Sequence, residues 1–359
     1  MPECGSQCWL CDLPVRFDTY KGCSHGCKYC FVQRNGKYDI SQIKTYECEK
    51  ALKDWIAGKR TQKTNWCDWD IPLHWGGVSD PFQPCEKVKR MSYNALKIFA
   101  QTKYPFVVST KGKLISEPEY IDLLKECNCV VQISVVCSKY DVLEQGAPTF
   151  AERLEIIRKV SPNVKRVIVR IQPYMCEVFK DVYDNLAAFR EAGAYGVIVE
   201  GMKFDKKKPG LVKVGADWTY PLSRINSDIK RLKERAHSLG LAFYSGENRT
   251  RHLGDNLCCC GIDGLDGFTP NTYNLNHIVR GEKIKPTEKM QEVGTALAFL
   301  PTDQRPAYYR KIKNESFADE MISFANNRTE LVCDVFDLKR GINYGKNRAT
   351  SKGDRSKTI

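Results

Sequence analysis

The sequence predicts an α/β fold, a parallel sheet wound as a partial or complete barrel with helices outside it, and three observations carry that prediction. Short apolar, β-branched runs alternate with longer amphipathic stretches over about 230 residues, the pattern of a sheet whose strands are joined by helical crossovers. The helical stretches carry start and stop signals. A chain of 359 residues suits one barrel-sized domain with appendages.

Strand candidates lie at 15–20, 71–75, 106–109, 130–136, 166–171, 196–199 and 241–244. Helix candidates between them are 87–102, 118–126, 149–159, 178–192 and 225–239. Ser116-Glu117-Pro118 opens one helix with a capping residue and a proline near its first turn. Gly193 and Gly240 stand where left-handed C-caps close two others. Six or seven such units suit a partial or complete barrel better than a two-domain chain. Parallel barrels collect their chemistry at the C-terminal ends of the strands, which directs attention to 21–30, 76–80, 110–113, 137–140, 172–174, 200–203 and 245–248.

Composition excludes several classes. A hydrophobic content of 42% with 15 Phe, 17 Tyr and 6 Trp is not that of a disordered chain. No apolar run approaches the roughly 18 residues that would span a bilayer. The first residues lack the basic and apolar regions of a secretory signal, so a cytoplasmic protein is expected. Seventeen cysteines are an odd number and, without a signal sequence, point to metal rather than to disulfides wherever they cluster. They fall into three groups, Cys4, Cys8 and Cys11; Cys23, Cys27 and Cys30; and Cys258, Cys259 and Cys260, with the rest scattered as small buried hydrophobes. The formal charge is +13, and residues 339–359 hold seven Lys or Arg against one acidic residue, Asp354. That stretch reads as a disordered basic tail, either merely solvated or a nucleic-acid-contacting arm.

The middle group is the most informative. Cys23-Ser24-His25-Gly26-Cys27-Lys28-Tyr29-Cys30 gives C-x3-C-x2-C directly after the first strand candidate. Three thiolates from one short loop can hold three irons of a cubane and leave the fourth without a protein ligand. Such an open position is what a catalytic metal site keeps and a structural one closes. A zinc site completed by His25 is the alternative reading. A second segment, Trp75-Gly76-Gly77-Val78-Ser79-Asp80-Pro81-Phe82-Gln83-Pro84, places two glycines at a strand end, where backbone can approach a ligand closely.

Together with Glu144-Gln145-Gly146-Ala147-Pro148-Thr149 and the following Glu152-Arg153-Leu154, these segments resemble the spore photoproduct lyase-like branch of the radical S-adenosylmethionine (SAM) superfamily, over about residues 12–200. The resemblance implies a partial (β/α)6-type TIM barrel and a [4Fe–4S] cluster on Cys23, Cys27 and Cys30. It further implies SAM on the open iron, reductively cleaved to a 5'-deoxyadenosyl radical, and a flavodoxin- or ferredoxin-type electron donor. It places Tyr29 or Phe31 beside the cluster and adenine, and Gly76, Gly77 and Ser79 near the SAM amino group. Ser109, Lys111, Ser134, Arg170 and Gln172 become candidate contacts to SAM or substrate. The chain departs from the lyases where Gly77 stands in the place of their hydrogen-donating cysteine. Cys85, Cys137, Cys176 and Cys259 are the candidates to replace it.

The flanking groups extend the reading. Cys4, Cys8 and Cys11 repeat the C-x3-C-x2-C spacing, and Cys258 and Cys260 share one face if the chain there is extended, with Cys259 pointing away. These cysteines are read as an auxiliary Fe–S cluster or zinc site, with a redox thiol or no metal as the alternatives. The lysine-rich loop 203–208 is either a solvated run or a phosphate contact. The expected organisation is a Cys-rich segment at 1–14, the barrel at 15–250, a Cys-containing segment at 251–281 that covers the site, a helical extension at 282–338 and the tail at 339–359. The expected function is radical SAM chemistry on an external substrate, nucleic acid first and a peptide or small metabolite second. A non-enzymatic, zinc-stabilised nucleic-acid-binding protein is the rival from another class.

Overall fold

The β-branched runs pair in chain order into one sheet. In the computed structural model, which describes residues 2–4, 11–34, 42–60, 71–214, 217–271 and 277, the strands are β1 (Glu3–Cys4), β2 (Val15–Phe17), β3 (Leu73–Trp75), β4 (Phe106–Thr110), β5 (Cys129–Ser134), β6 (Arg166–Tyr174), β7 (Gly196–Gly201) and β8 (Ala242–Ser245). Their spatial order equals their chain order. Seven run parallel, and β1 adds an antiparallel edge beside β2. The architecture is the expected partial barrel, with all seven strand candidates present.

Side-chain alternation sends each strand into two different interiors. Phe17, Trp75, Phe106, Val108, Val131, Val169 and Val197 pack against the helices, while Val107, Val130, Ile168, Ile198 and Tyr244 face the concave side. Burial on both faces is why these strands read as continuous apolar runs rather than as alternating ones. The covering helices are α1 (Cys48–Ile56), α2 (Met91–Thr102), α3 (Pro118–Lys125), α4 (Phe150–Val160), α5 (Phe179–Glu191) and α6 (Leu222–Ser238).

Four features differ from the sequence expectation. The helix expected at 87–102 is two helices, Glu86–Lys89 and α2, broken at Arg90, whose φ is 56°. The break is held by side chains: Arg90 donates to both carboxylate oxygens of Glu119 at 2.5 and 2.8 Å and lies over the Tyr93 ring at 3.8 Å. The buried Glu86 carboxylate accepts from the Ser92 and Tyr93 N–H groups at 2.9 and 2.8 Å, which caps α2, and from the Tyr20 and Tyr120 hydroxyls. Helix α1 was not anticipated, although Cys48, Leu52 and Trp55 follow the spacing of a buried helical stripe. A small antiparallel pair, Val212–Val214 with Asp217–Thr219, follows the lysine-rich loop.

The fourth difference concerns the segment expected to cover the site. Residues of 257–268 instead enter the concave side of the sheet. Cys258, Cys260, Ile262 and Phe268 pack with Leu13 against Val107, Val130, Ile168, Ile198 and Tyr244. Arg166, the first residue of β6, donates to the Gly261 and Asp263 carbonyls at 3.0 and 2.8 Å, which fixes the segment toward the N-terminal ends of the strands. The apolar floor of the barrel needs covering more than its polar mouth does, and this segment supplies the cover. The side chains of Cys4 and Cys8, the extension at 282–338 and the tail at 339–359 lie outside the described residues. No helix among the described residues is long and apolar enough to cross a membrane.

Candidate cluster and cofactor site

The loop after β2 carries the three cysteines and makes little regular structure of its own, so its shape depends on what grips it. From one side the grip is Gln83, fully buried: its Oε1 accepts from the Ser24 N–H at 2.9 Å and its Nε2 donates to the Gly22 carbonyl at 3.1 Å, bracketing Cys23. From the other side, Lys28 N–H donates to the Leu143 carbonyl at 2.9 Å and Gly146 N–H to the His25 carbonyl at 3.0 Å. Within the loop, Cys30 N–H donates to the Cys27 carbonyl at 3.0 Å, a tight turn that brings these two residues onto one lobe. Gly146 is sterically required, because a Cβ there would stand 2.5 Å from the Ser24 carbonyl oxygen and 2.8 Å from that of His25.

His25 is a brace rather than a ligand. It is buried, its Nδ1 lies 2.9 Å from the Gly146 carbonyl and its Nε2 lies 3.1 Å from Asp80 Oδ2. Burial lowers the pKa of the imidazole, but the Asp80 charge and the two hydrogen-bonding contacts outweigh it, so the group stands above its ordinary value. Asp80 also accepts from Thr110 Oγ1 and from the Lys111 and Phe82 N–H groups at 2.6, 2.6 and 2.9 Å. Burial would raise this carboxyl, and these partners hold it down at about 2.

Glu144 completes the second wall. It pairs with Arg153 at 2.5 Å and accepts from the Tyr29 hydroxyl, while Lys111 Nζ lies 3.8 Å from it and 5.8 Å above the Tyr29 ring. Arg153 in turn donates to the Ser134 carbonyl at 2.9 Å. Thr149 and Glu152 form a capping box that starts α4 and so fixes where Arg153 stands. The 144–153 segment is thus a buried prop for the cysteine loop.

Farther inside, a polar layer crosses the sheet. Ser109 Oγ lies 3.0 Å from His74 Nε2 and 2.8 Å from Gln132 Oε1; Arg170 donates to both Ser109 and Gln132, at 3.1 and 2.8 Å, and also to Gln172. Burial, with Arg170 and Arg16 nearby, pushes the His74 imidazole well below its usual pKa. Gln132 Nε2 donates to the Cys260 carbonyl at 3.3 Å, which joins this layer to the floor segment.

Of the expected contact residues, the structure brings Tyr29 and Lys111 together beside the cysteine loop, and Ser109, Arg170 and Gln172 together in the polar layer. Ser79 is occupied structurally, its hydroxyl donating to the Tyr20 carbonyl at 2.7 Å. Gly76 serves the chain itself: its φ is +84° and a Cβ would stand 2.3 Å from the Ser109 carbonyl oxygen. At Gly77 a Cβ would meet the Arg16 side chain. Phe31 opens the short helix Phe31–Arg34 and is 46% exposed. Cys137 and Cys176 are packed in the core between sheet and helices, so as hydrogen donors they face the wrong side; Cys85 precedes the helix Glu86–Lys89. Cys259 alone of the four lies with the concave-side residues. Gln83, Asp80, Glu144 and Arg153 were quoted in the motifs without a role, and His74 and Gln132 carried no local signal.

Residues 17–175 match the family model described as the Radical SAM superfamily. This stretch is a radical SAM domain. Uncharacterized proteins of Mycobacterium bovis and Mycobacterium tuberculosis are 25% identical to the chain over 206 residues, which is 53% of this chain and 59% of theirs. The chain therefore spans less than two thirds of the length of these curated relatives. Among solved structures, spore photoproduct lyase with bound AdoMet and dinucleoside spore photoproduct aligns with a TM-score of 0.51 at 14% identity, over 65% of this chain and 76% of that one. The same lyase complexed with dinucleoside spore photoproduct gives 0.50 at 15% identity over the same shares. At this identity the similarity is one of fold.

A radical SAM domain implies a [4Fe–4S] cluster and SAM, and the residues present fit them. Cys23, Cys27 and Cys30 are partly exposed on one gripped loop, and His25, the nearest alternative donor, is engaged elsewhere. Among the described residues no three His, Cys, Asp or Glu side chains converge on a single metal ion. A cubane instead takes its thiolates at separate corners, more widely spaced than the ligands of one ion. Burial, with the Asp80 charge, pushes the Cys23 thiol up to about 12; burial also pushes Cys27 up to about 11, against the pull of Lys111, so metal loading must release these protons.

Two predictions follow from the grip on the radical SAM loop. Gly146→Ala should displace the Ser24–His25 backbone and lower iron content after anaerobic reconstitution several-fold, measured as iron per chain, while the circular dichroism spectrum stays that of the wild type. Asp18, whose Oδ1 faces the Val78 and Ser79 N–H groups at 3.3 Å, has its carboxyl raised by burial from 3.8 to about 7. A raised acid favours the protonated native state, so its contribution is full below pH about 4 and is lost as pH rises through about 7. Wild-type stability in urea should fall over that window, and Asp18→Asn should remove this part of the fall.

Proposed function

We propose that the chain is an enzyme that cleaves SAM reductively at a [4Fe–4S] cluster held by Cys23, Cys27 and Cys30, and uses the resulting radical on a nucleic-acid substrate. The observation that carries the reading is the three-cysteine loop itself: partly exposed, gripped from both sides, and set at the C-terminal end of the first parallel strand, where barrel chemistry collects. Cys23, Cys27 and Cys30 would hold the cluster, which would supply one-electron reducing chemistry toward SAM with a flavodoxin- or ferredoxin-type protein as the donor. The chain's own residues hold and orient. Tyr29, fixed by Glu144, and Phe31 would flank the cofactor, and the backbone at Gly76, Gly77 and Ser79 would stand near its amino group. Lys111 offers a cation beside the loop, and Ser109, Ser134 and Arg170 present polar groups to cofactor or substrate.

The nucleic-acid part rests on charge and aromatic placement. Beyond the C-terminal end of β7, Lys208 Nζ lies 4.9 Å from the Phe204 ring and Lys207 Nζ 5.8 Å from the Trp218 ring, a basic and aromatic surface suited to phosphate and base contact. The net charge of +13 and the dinucleoside bound by the lyase of similar fold point the same way.

Cys30→Ala should abolish 5'-deoxyadenosine formation from SAM and dithionite under anaerobic conditions; continued formation would reject the ligand assignment. Binding to single-stranded DNA or RNA should weaken steeply, about tenfold or more, between 50 and 200 mM salt. No binding at low salt would remove nucleic acid as the substrate class.

A further inference from the structure

The rim around the cysteine loop carries exposed apolar side chains that the chemistry above does not use. Among the described residues six large hydrophobic side chains are exposed, and the two most exposed, Val88 at 84% and Val142 at 65%, stand on the two walls that grip the loop. Val142 immediately precedes Leu143, whose carbonyl accepts from the Lys28 N–H at 2.9 Å. Val88 lies in the helix Glu86–Lys89, which begins just after Gln83, the side chain that brackets Cys23. Between the walls the loop itself exposes Ser24, Gly26 and Lys28. Exposed apolar groups set in a polar surround mark a surface that another protein covers.

The charge of this rim is one-sided. Residues 20–37 hold Lys21, Lys28, Arg34 and Lys37 and no Asp or Glu. On the first wall Lys87 and Lys89 are exposed and flank Val88 in sequence. The carboxylates of the same walls, Asp80, Glu86 and Glu144, are buried and answered internally, by His25, by the Tyr20 and Tyr120 hydroxyls, and by Arg153. The walls therefore turn their acids inward and present lysines outward. A nucleic acid also answers lysines, but it gains little from two valines this exposed, and the basic and aromatic surface beyond β7 suits it better. Lysines around an apolar patch match an acidic protein, and transient electron-transfer complexes use small surfaces of this kind.

We propose that the rim formed by Val88, Val142, Lys28, Lys87 and Lys89 docks an acidic one-electron carrier protein of the flavodoxin or ferredoxin type. The proposal rests on the reading of the Cys23 loop as the place where SAM is reduced. Electron transfer between proteins falls steeply with distance, so the carrier must dock beside that loop, and the walls that grip it are the surface at hand. One electron leaves the carrier's reduced cofactor and enters the site; the carrier is oxidised by one electron, and no bond, proton or leaving group moves at the interface. The donor side thus lies after β2, β3 and β5, and the surface after β7 stays open to substrate.

The test is the binding of an oxidised flavodoxin and an oxidised ferredoxin to the reconstituted full chain, measured by calorimetry at low salt, beside 5'-deoxyadenosine formation from SAM driven by each reduced carrier or by dithionite. Lys87→Glu with Lys89→Glu, and separately Val88→Ser with Val142→Ser, should each weaken carrier binding about tenfold and slow carrier-driven formation to match, while dithionite-driven formation stays at the wild-type level. The charge variant should also lose most of the salt dependence of binding. Unchanged carrier binding in either variant, or binding of neither carrier by the wild type, would overturn the proposal. An equal loss with dithionite would overturn it too, since the substitutions would then act on the loop and not on docking. Loss of single-stranded DNA binding with carrier binding intact would assign the rim to substrate instead. A wild type that forms no 5'-deoxyadenosine with dithionite would reject the SAM-cleaving reading, and the calorimetry would still decide the docking surface.

Discussion

The structure depends on the double grip that holds a loop with little hydrogen-bonded regularity of its own. Gln83 fastens Gly22 and Ser24 from the turn after β3, and the 143–146 backbone fastens His25 and Lys28 from the opposite wall. Each wall is itself buried and charged: Asp80 with His25 on one side, Glu144 with Arg153 on the other. Buried ion pairs contribute modestly to net stability, but breaking one leaves an uncompensated charge at a cost of about 3–5 kcal/mol. The pairs therefore act as a geometric lock, and under the proposed function that lock sets how the three thiolates meet the cluster.

The barrel is divided by layer. Helix-side residues of the strands supply the large apolar core, and concave-side residues run from an apolar floor at Val107, Val130 and Ile168 to the polar layer of His74, Ser109, Gln132 and Arg170. The floor is closed by chain from beyond the last strand. Gly261, with φ of +73° and a Cβ position 2.6 Å from Ile168, lets that chain lie directly on the sheet. A partial barrel lacks the closing strands that would fill its centre, and the 257–268 segment does so with side chains. The same segment carries Cys258 and Cys260 into the apolar floor.

Much of this was legible in the sequence. Seven strands and five of the helical regions follow from periodicity, because a sheet buried on both faces leaves unbroken β-branched runs and its helices keep an apolar stripe. The cysteine spacing named the cluster loop, and the glycine and 144–153 motifs marked its walls. What the sequence withheld was tertiary. Nothing local distinguishes Gln83 or Gln132 from an exposed glutamine, and Arg90 adopts a left-handed backbone only because Glu119 and Tyr93, from other turns of chain, hold it there. The course of 257–268 was misjudged for the same reason: an i, i+2 argument presumes an extended chain, and the turn at Cys259 and Cys260 cancels it.

The central claim is that Cys23, Cys27 and Cys30 leave one iron of a cubane open for SAM. Electron paramagnetic resonance of the dithionite-reduced protein, recorded with and without SAM, tests it most directly. The account predicts that SAM changes the g values of a reduced [4Fe–4S] signal that is lost in Cys27→Ala; a cluster signal indifferent to SAM would contradict it.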